Sequence, residues 1–251
     1  MENALLVGLS RQAALRRELD IIANNVANLG TTGFKRETLL FEQYLATSAR
    51  ENNFPAPDQR VAFVLDRATR TEFAQGPIEH TGGELDVAVE GEGFLVVETP
   101  RGERYTRNGS LSRNASGEIV TSEGYRVMGE SGPLVLDPND TQISIADDGT
   151  LSARNAGVNV EKGKIRIVRF DASPQLSKEG ANLFATTSQP LPTDVRTRLL
   201  HGAIEKSNIS PIREIGRMIE VTRTYTMLTN LINRTNELRG NAINKLAEVP
   251  A

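Results

Sequence analysis

The sequence predicts an α+β protein, with long N- and C-terminal helices pairing as a coiled-coil-like domain and a central all-β domain between them. Two apolar stripes at helical spacing lie at the two ends of the chain, and between them run short alternating segments separated by Gly- and Asn-rich turns. A terminal helix with one apolar stripe must bury it against something, and the stripe at the other terminus is the nearest match.

In the N-terminal stripe, Leu5, Gln12, Leu15, Leu19, Ile22, Val26 and Leu29 fall at three- and four-residue steps once Gly8 is counted in the seam. Arg11, Arg17, Glu18 and Asp20 lie on the opposite side, facing water or charged neighbours. Asn24, Asn25 and Asn28 predict the helix end, and Leu29-Gly30-Thr31-Thr32-Gly33 breaks it. The apolar cluster Leu39, Leu40, Phe41, Tyr44 and Leu45 predicts a few turns of helix, followed by an irregular path through Asn52-Asn53-Phe54-Pro55-Ala56-Pro57.

Strands are expected at 61–65, 84–90, 94–98, 119–121, 125–128, 143–145 and 164–170. Turns separate them at Thr81-Gly82-Gly83, Asn108-Gly109, Ser116-Gly117, Asp148-Gly149 and Asn155-Ala156-Gly157. After Pro190 and Pro192 the β pattern fades. From about Ile212 a second helical stripe runs through Met218, Val221, Tyr225, Leu228, Ile232, Thr235, Ala242 and Leu246, started by Ser210-Pro211. Thr222, Thr229, Thr235 and Arg239 interrupt it, and buried hydroxyls and charges cost free energy unless partners satisfy them. The chain therefore divides into an N-terminal helix (1–35), an extended linker with a short helix and a strand (36–80), the β domain (81–204) and a C-terminal helix (205–251).

Composition narrows the function classes. With 5% aromatic residues and no Trp, the core must be built mainly from Leu, Ile, Val and Ala. The formal charge of −3 is small and the signs are interspersed, so nucleic acid is not an expected partner. Cysteine is absent, which excludes disulfides and thiol chemistry. No run reaches the roughly 18 to 20 apolar residues that span a bilayer, so direct membrane insertion is not expected. The short apolar run 4–9 is followed by Arg11, Arg16 and Arg17, the reverse of a secretory leader, so any route out of the cytoplasm is expected to be one that reads no cleaved signal peptide.

Catalytic constellations are not evident. His80 and His201 are the only histidines, and neither has the spacing that places two metal ligands on one helix face. Gly91-Glu92-Gly93-Phe94 leads into strand-like Leu95-Val96-Val97 and not into a helix that could receive phosphate, so it reads as a tight turn. Asp147-Asp148-Gly149-Thr150 lacks the spaced oxygens of a calcium loop and reads as a hairpin turn. Glu84/Asp86 and Glu90/Glu92 share strand faces, as solvated carboxylates do. No nucleophile elbow is present. The reading is a structural assembly subunit, not an enzyme, with no cofactor and no metal.

Three blocks resemble the bacterial flagellar rod and hook family. They are Ile21-Ile22-Ala23-Asn24-Asn25-Val26-Ala27-Asn28 with Thr31-Thr32-Gly33-Phe34-Lys35, then the run from Thr81 to Phe94 with Tyr105-Thr106-Arg107-Asn108-Gly109, and His201-Gly202-Ala203-Ile204-Glu205-Lys206-Ser207-Asn208-Ile209-Ser210 with Met218-Ile219 and Arg223-Thr224-Tyr225. Within the family, Val7-Gly8-Leu9-Ser10-Arg11-Gln12 and a β domain without a large insertion look most like a proximal-rod member, with a distal-rod member next. The resemblance implies export through the flagellar type III apparatus and a place in the periplasmic rod of the basal body. It further implies homo- and hetero-polymerisation with other rod subunits into a hollow shaft that transmits torque and conducts exported subunits. The assembly interface is expected on the helical seams, at Leu5, Leu15, Leu19, Ile22, Asn25, Val26, Asn28, Met218, Val221, Tyr225, Leu228 and Ile232. Because the C-terminal seam is interrupted, residues 1–35 and roughly 205–251 are expected to be dynamic in the free monomer and to order on assembly. A competing class, a periplasmic carbohydrate-acting module, needs two carboxylates about 5 to 9.5 Å apart, and the sequence selects no such pair. A third, an adaptor for a different filament, shares the helical ends.

Overall fold

The computed structural model describes residues 2–46, 61–170, 176–193 and 197–247. Two compact units emerge: a helical one from Met1–Ala27, Glu37–Arg70 and Ser210–Ala251, and a β unit from Asn28–Arg36 and Thr71–Ile209.

In the helical unit, α1 spans Glu2–Ala27 and α2 spans Pro211–Ala247. Pro211 occupies the first helical position, where a missing N–H costs nothing, and the Glu214 amide donates to the Ser210 carbonyl to close the first turn. The helices pack against each other through Leu15, Ile22 and Val221, all buried, with Leu19, Val26, Met218, Tyr225 and Leu228 around them. Their sense is antiparallel. A side chain at Gly8 would meet Ile232, Gln12 donates to the Thr229 hydroxyl at 2.9 Å, and Glu18 pairs with Arg217 at 2.6 Å, so α1 numbers rise as α2 numbers fall. The C-terminal end of α2 reaches beyond α1, and there Ile243 is exposed.

The segment expected as a short helix is a strand, β1 (Glu37–Ala46), paired with β2 (Val61–Thr71). A short apolar run reads either way by periodicity, and here its Thr, Phe and Tyr content and an available pairing strand decide for β.

The β unit starts with β3 (Ile78–His80), β4 (Val87–Glu90), β5 (Phe94–Thr99), β6 (Gly102–Thr106), β7 (Leu111–Arg113) and β8 (Ile119–Thr121). It continues with β9 (Arg126–Gly129), β10 (Gly132–Pro133), β11 (Thr141–Ile145), β12 (Thr150–Asn155), β13 (Val158–Lys164) and β14 (Ile167–Arg169). It closes with β15 (Ser177–Lys178), β16 (Leu183–Ala185), β17 (Leu191–Pro192), β18 (Arg198–His201) and β19 (Ala203–Glu205). The main sheet runs β15-β16-β6-β5-β9-β8-β7, with β10 on β9 and β14 bridging β5 and β17. β11-β12-β13 form a separate meander, β18 pairs with β4 and β19 with β3.

Strand character thus persists past Pro190 and Pro192, contrary to the sequence expectation. Strands of two to four residues give no periodic window, and Pro192 is tolerated opposite Val168 because β17 lies at an edge, paired with β14 alone among the described strands.

Two cores flank β5, whose side chains alternate between them. Leu95 and Val97 join an aliphatic core with Val87, Val127, Leu136, Leu151 and Leu199, whereas Phe94 and Val96 join Tyr105, Val168, Leu176 and Phe184. The few aromatic residues are therefore not spread thinly. Phe73, Phe94 and Phe184 meet edge to face at 5.2–5.8 Å, and Tyr105 stacks edgewise on Phe170 at 4.7 Å.

Candidate assembly surfaces and the polar clasp

The expected seam residues divide by location. Leu15, Leu19, Ile22, Val26, Met218, Val221, Tyr225 and Leu228 meet in the packed cluster between α1 and α2. Ile232 faces the Gly8 position, with its side chain 3.5 Å from where a Cβ would stand. The Leu5 side chain lies outside the described residues.

Asn25 and Asn28 make polar links at the end of α1. Buried Asn25 donates to the Glu37 carbonyl at 2.8 Å and accepts from the Glu37 amide at 3.0 Å, tying the end of α1 to the start of β1. Asn28 accepts from the Thr31 hydroxyl and amide in the turn that follows the helix. Glu18, expected to face water or charged neighbours, pairs with Arg217 of α2. The threonine interruptions of α2 carry no orphaned hydroxyls either. Thr222, Thr229 and Thr235 donate to the carbonyls of Met218, Tyr225 and Leu231, one turn back.

A second apolar set on α2 has no role in that packing. Ile212, Ile215 and Ile219, then Met227, Leu231 and Leu238, are all large and exposed, from 86% at Ile212 to 48% at Ile215. At about 100° per residue the seam covers an arc of about 80°, and both outward patches fall outside it. Their three-, four- and seven-residue spacing is present in the sequence, where the seam stripe on the same helix overlaps and masks it.

In the β unit, residues from all three resembling blocks converge on one buried polar cluster. Lys35 donates to Glu205 Oε1 at 2.6 Å and to the Ala74 carbonyl at 2.8 Å. Glu205 Oε1 also accepts the Gly76 amide, and its Oε2 accepts from Arg107 Nη1 at 3.3 Å. Arg107 donates further to the carbonyls of Val89 and Gly91 and lies over the Phe94 ring at 5.3 Å. All three charged side chains are at most 5% exposed. Burial lowers the Lys35 and Arg107 pKa values from their usual positions, and Glu205 opposes both shifts.

Backbone geometry at this cluster requires glycine. Gly33, at φ +68°, donates to the Glu205 carbonyl, and a Cβ there would lie 2.4 Å from the Arg107 carbonyl carbon. Asn208 completes the cluster by accepting from the Arg36 amide and donating to the carbonyls of Glu72 and Ala74. Lys35, Arg107, Glu205 and Asn208 carried no assigned role in the sequence reading. Their signal was charge and amide inside Gly-containing blocks flanked by apolar residues.

The remaining candidates stay ordinary. His201 hydrogen-bonds the Glu84 carbonyl at 3.0 Å, and Asp148 has both oxygens engaged by Thr150 in the turn between β11 and β12. Among the described residues no group of three His, Asp or Glu side chains gathers as metal ligands, and no helix is long and apolar enough to cross a membrane.

Comparison with known proteins agrees with this arrangement. The family described as "Flagella basal body rod protein" matches residues 5–35, "Flagellar hook protein FlgE/F/G D1 domain" matches 88–153, and "Flagellar basal body rod FlgEFG protein C-terminal" matches 200–245. The chain is 39% identical to the flagellar basal-body rod protein FlgF of Caulobacter vibrioides, over 99% of this chain and 100% of that one. It is 31% identical to the FlgF of Mesorhizobium japonicum over 98% of each chain. It is also 34% identical to the rod protein FlgG of Borreliella burgdorferi, over 97% of this chain and 98% of that one. Helical ends, β unit and full-length similarity together show that the chain belongs to the flagellar basal-body rod protein family.

Proposed function

We propose that this protein is a structural subunit of the flagellar basal-body rod, of the FlgF type found in the proximal rod, and that it polymerises through its terminal helices. The observation that carries this reading is the pair of outward apolar patches on α2, Ile212/Ile215/Ile219 and Met227/Leu231/Leu238. A helix that has already buried one face against α1 and still exposes large aliphatic residues along another is built for further neighbours. Contacts of one helix face with a different face on the next copy are heterologous, and where the rotation between copies does not close a ring they extend a shaft along an axis.

The α1–α2 pairing is read as a coiled coil, with Gly8 and Gln12 as its small and polar seam positions. Hollow-shaft assembly, torque transmission, passage of later subunits, and export through the type III apparatus without a cleaved leader follow from the rod reading. So do a periplasmic location and contact with the other proximal- and distal-rod subunits. The work is mechanical and not catalytic. The helices α1 and α2 order on assembly, whereas Asn28–Arg36 and the residues around β19 stay folded with the β unit, because Phe34, Lys35, Ala203 and Glu205 are buried there.

Deleting the gene is expected to abolish swimming and to leave basal bodies without a complete rod by electron microscopy. Normal swimming, with intact rods, would contradict the proposal.

A further inference from the structure

The buried cluster of Lys35, Arg107 and Glu205 invites a role beyond assembly. Its three charges come from three separate stretches of chain: the connector after α1, the strand-rich body, and the connector before α2. We propose that this cluster is a clasp that makes docking of the two connectors, 28–36 and 203–209, a single cooperative event, so that neither docks in the β unit without the other.

The charge inventory supports this. Among the described residues Glu205 is the one carboxylate in contact with two buried cations, and each connector holds something that the other needs. With the C-terminal connector undocked, Lys35 and Arg107 would share a buried space without an anion, and like charges in low dielectric repel strongly. With the N-terminal connector undocked, Glu205 would lose its 2.6 Å partner, and the Lys35 bond to the Ala74 carbonyl would go with it. Backbone bonds reinforce the coupling. The Gly33 amide donates to the Glu205 carbonyl at 2.7 Å, and the Arg36 amide donates to Asn208 Oδ1 at 2.8 Å. Arg107 also donates to the Val89 and Gly91 carbonyls, but Glu205 is its one carboxylate hydrogen-bond partner among the described residues. Two segments that share a network of this kind open together, as one unit of local unfolding.

The clasp rests on the β unit alone and stands or falls separately from the rod reading. Its test is native-state amide hydrogen exchange on the full-length monomer, comparing the parent with Lys35→Met and Glu205→Gln. Lys35→Met keeps a neutral Glu205–Arg107 pair and guards against a Glu205→Gln chain that fails to fold. In Lys35→Met, exchange at Gly33 and Arg36 is expected to rise at least tenfold, and Lys206, whose amide donates to the Pro77 carbonyl, is expected to rise by the same factor. Val96 and Val97, in the core strand β5, should be unchanged. Acceleration confined to Gly33 and Arg36 would overturn the proposal by showing independent docking. A uniform rise that includes Val96 and Val97 would also overturn it, by reducing the cluster to a contributor to global stability.

Discussion

Glu205 faces two cations, and that imbalance orders the expected effects of substitution at the residue scale. Glu205→Leu leaves both Lys35 and Arg107 buried without an anion and is expected to cost about 3–5 kcal/mol or more. Lys35→Met leaves Glu205 neutralised by Arg107 and should cost clearly less, an order that urea denaturation of the two variants measures directly. A different charge cluster contributes to acid sensitivity. Burial opposes ionisation of Asp140, but hydrogen bonds from Lys162, the Asp137 amide and Asn155 outweigh it and hold the carboxyl below its ordinary range. Its folded value lies below its unfolded one, so the contribution is present above the ordinary carboxylate range and is lost as pH falls through the folded value. Asp140→Asn should therefore flatten the decline in the urea midpoint on going below about pH 4. An unchanged acid slope would show that other carboxylates dominate.

The two terminal helices make opposite demands on their faces, and substitutions at the element scale should separate them. Leu15→Ala, at a position 3% exposed, opens a cavity between α1 and α2 worth about 2–5 kcal/mol once they pack, so it is expected to lower the amount of the subunit in purified basal bodies while leaving the urea midpoint of the free β unit unchanged. Gly216→Ala and Gly240→Ala, where an added Cβ meets nothing within 4 Å, should each stabilise α2 by about 0.5–1 kcal/mol, seen as increased helical circular dichroism. How far each element was legible follows from its length. Both helices were readable from their stripes, because many turns repeat one pattern, and β8 and β9 were readable from short alternations closed by Gly turns. The strand at Glu37–Ala46 was not, since a short apolar run gives no decisive period and its pairing strand lies elsewhere in the sequence. Strands as short as Leu191–Pro192 depend on partners set by tertiary structure. The clasp was hidden for the same reason, as Lys35, Arg107 and Glu205 meet only after the β unit folds.

For the whole molecule, the division into a helical unit and a β unit sets where order should end in the free chain. Amide exchange on the monomer is expected to show fast exchange over 2–27 and 211–247 and strong protection over the buried strands, with the change falling between 27 and 28 and between 209 and 210. Protection of both helices to the level of β5 would oppose ordering on assembly. The central claim is narrower: α2 carries a second face whose purpose is a neighbouring subunit. Its most direct measurement is the amount of this protein in purified basal bodies from cells whose only copy carries Leu231→Glu and Leu238→Glu. Because both residues are more than 60% exposed, the purified variant should keep the parent's thermal stability, while basal bodies should lose the subunit and cells should stop swimming. Basal bodies that retain the variant at the parent's level would contradict the account.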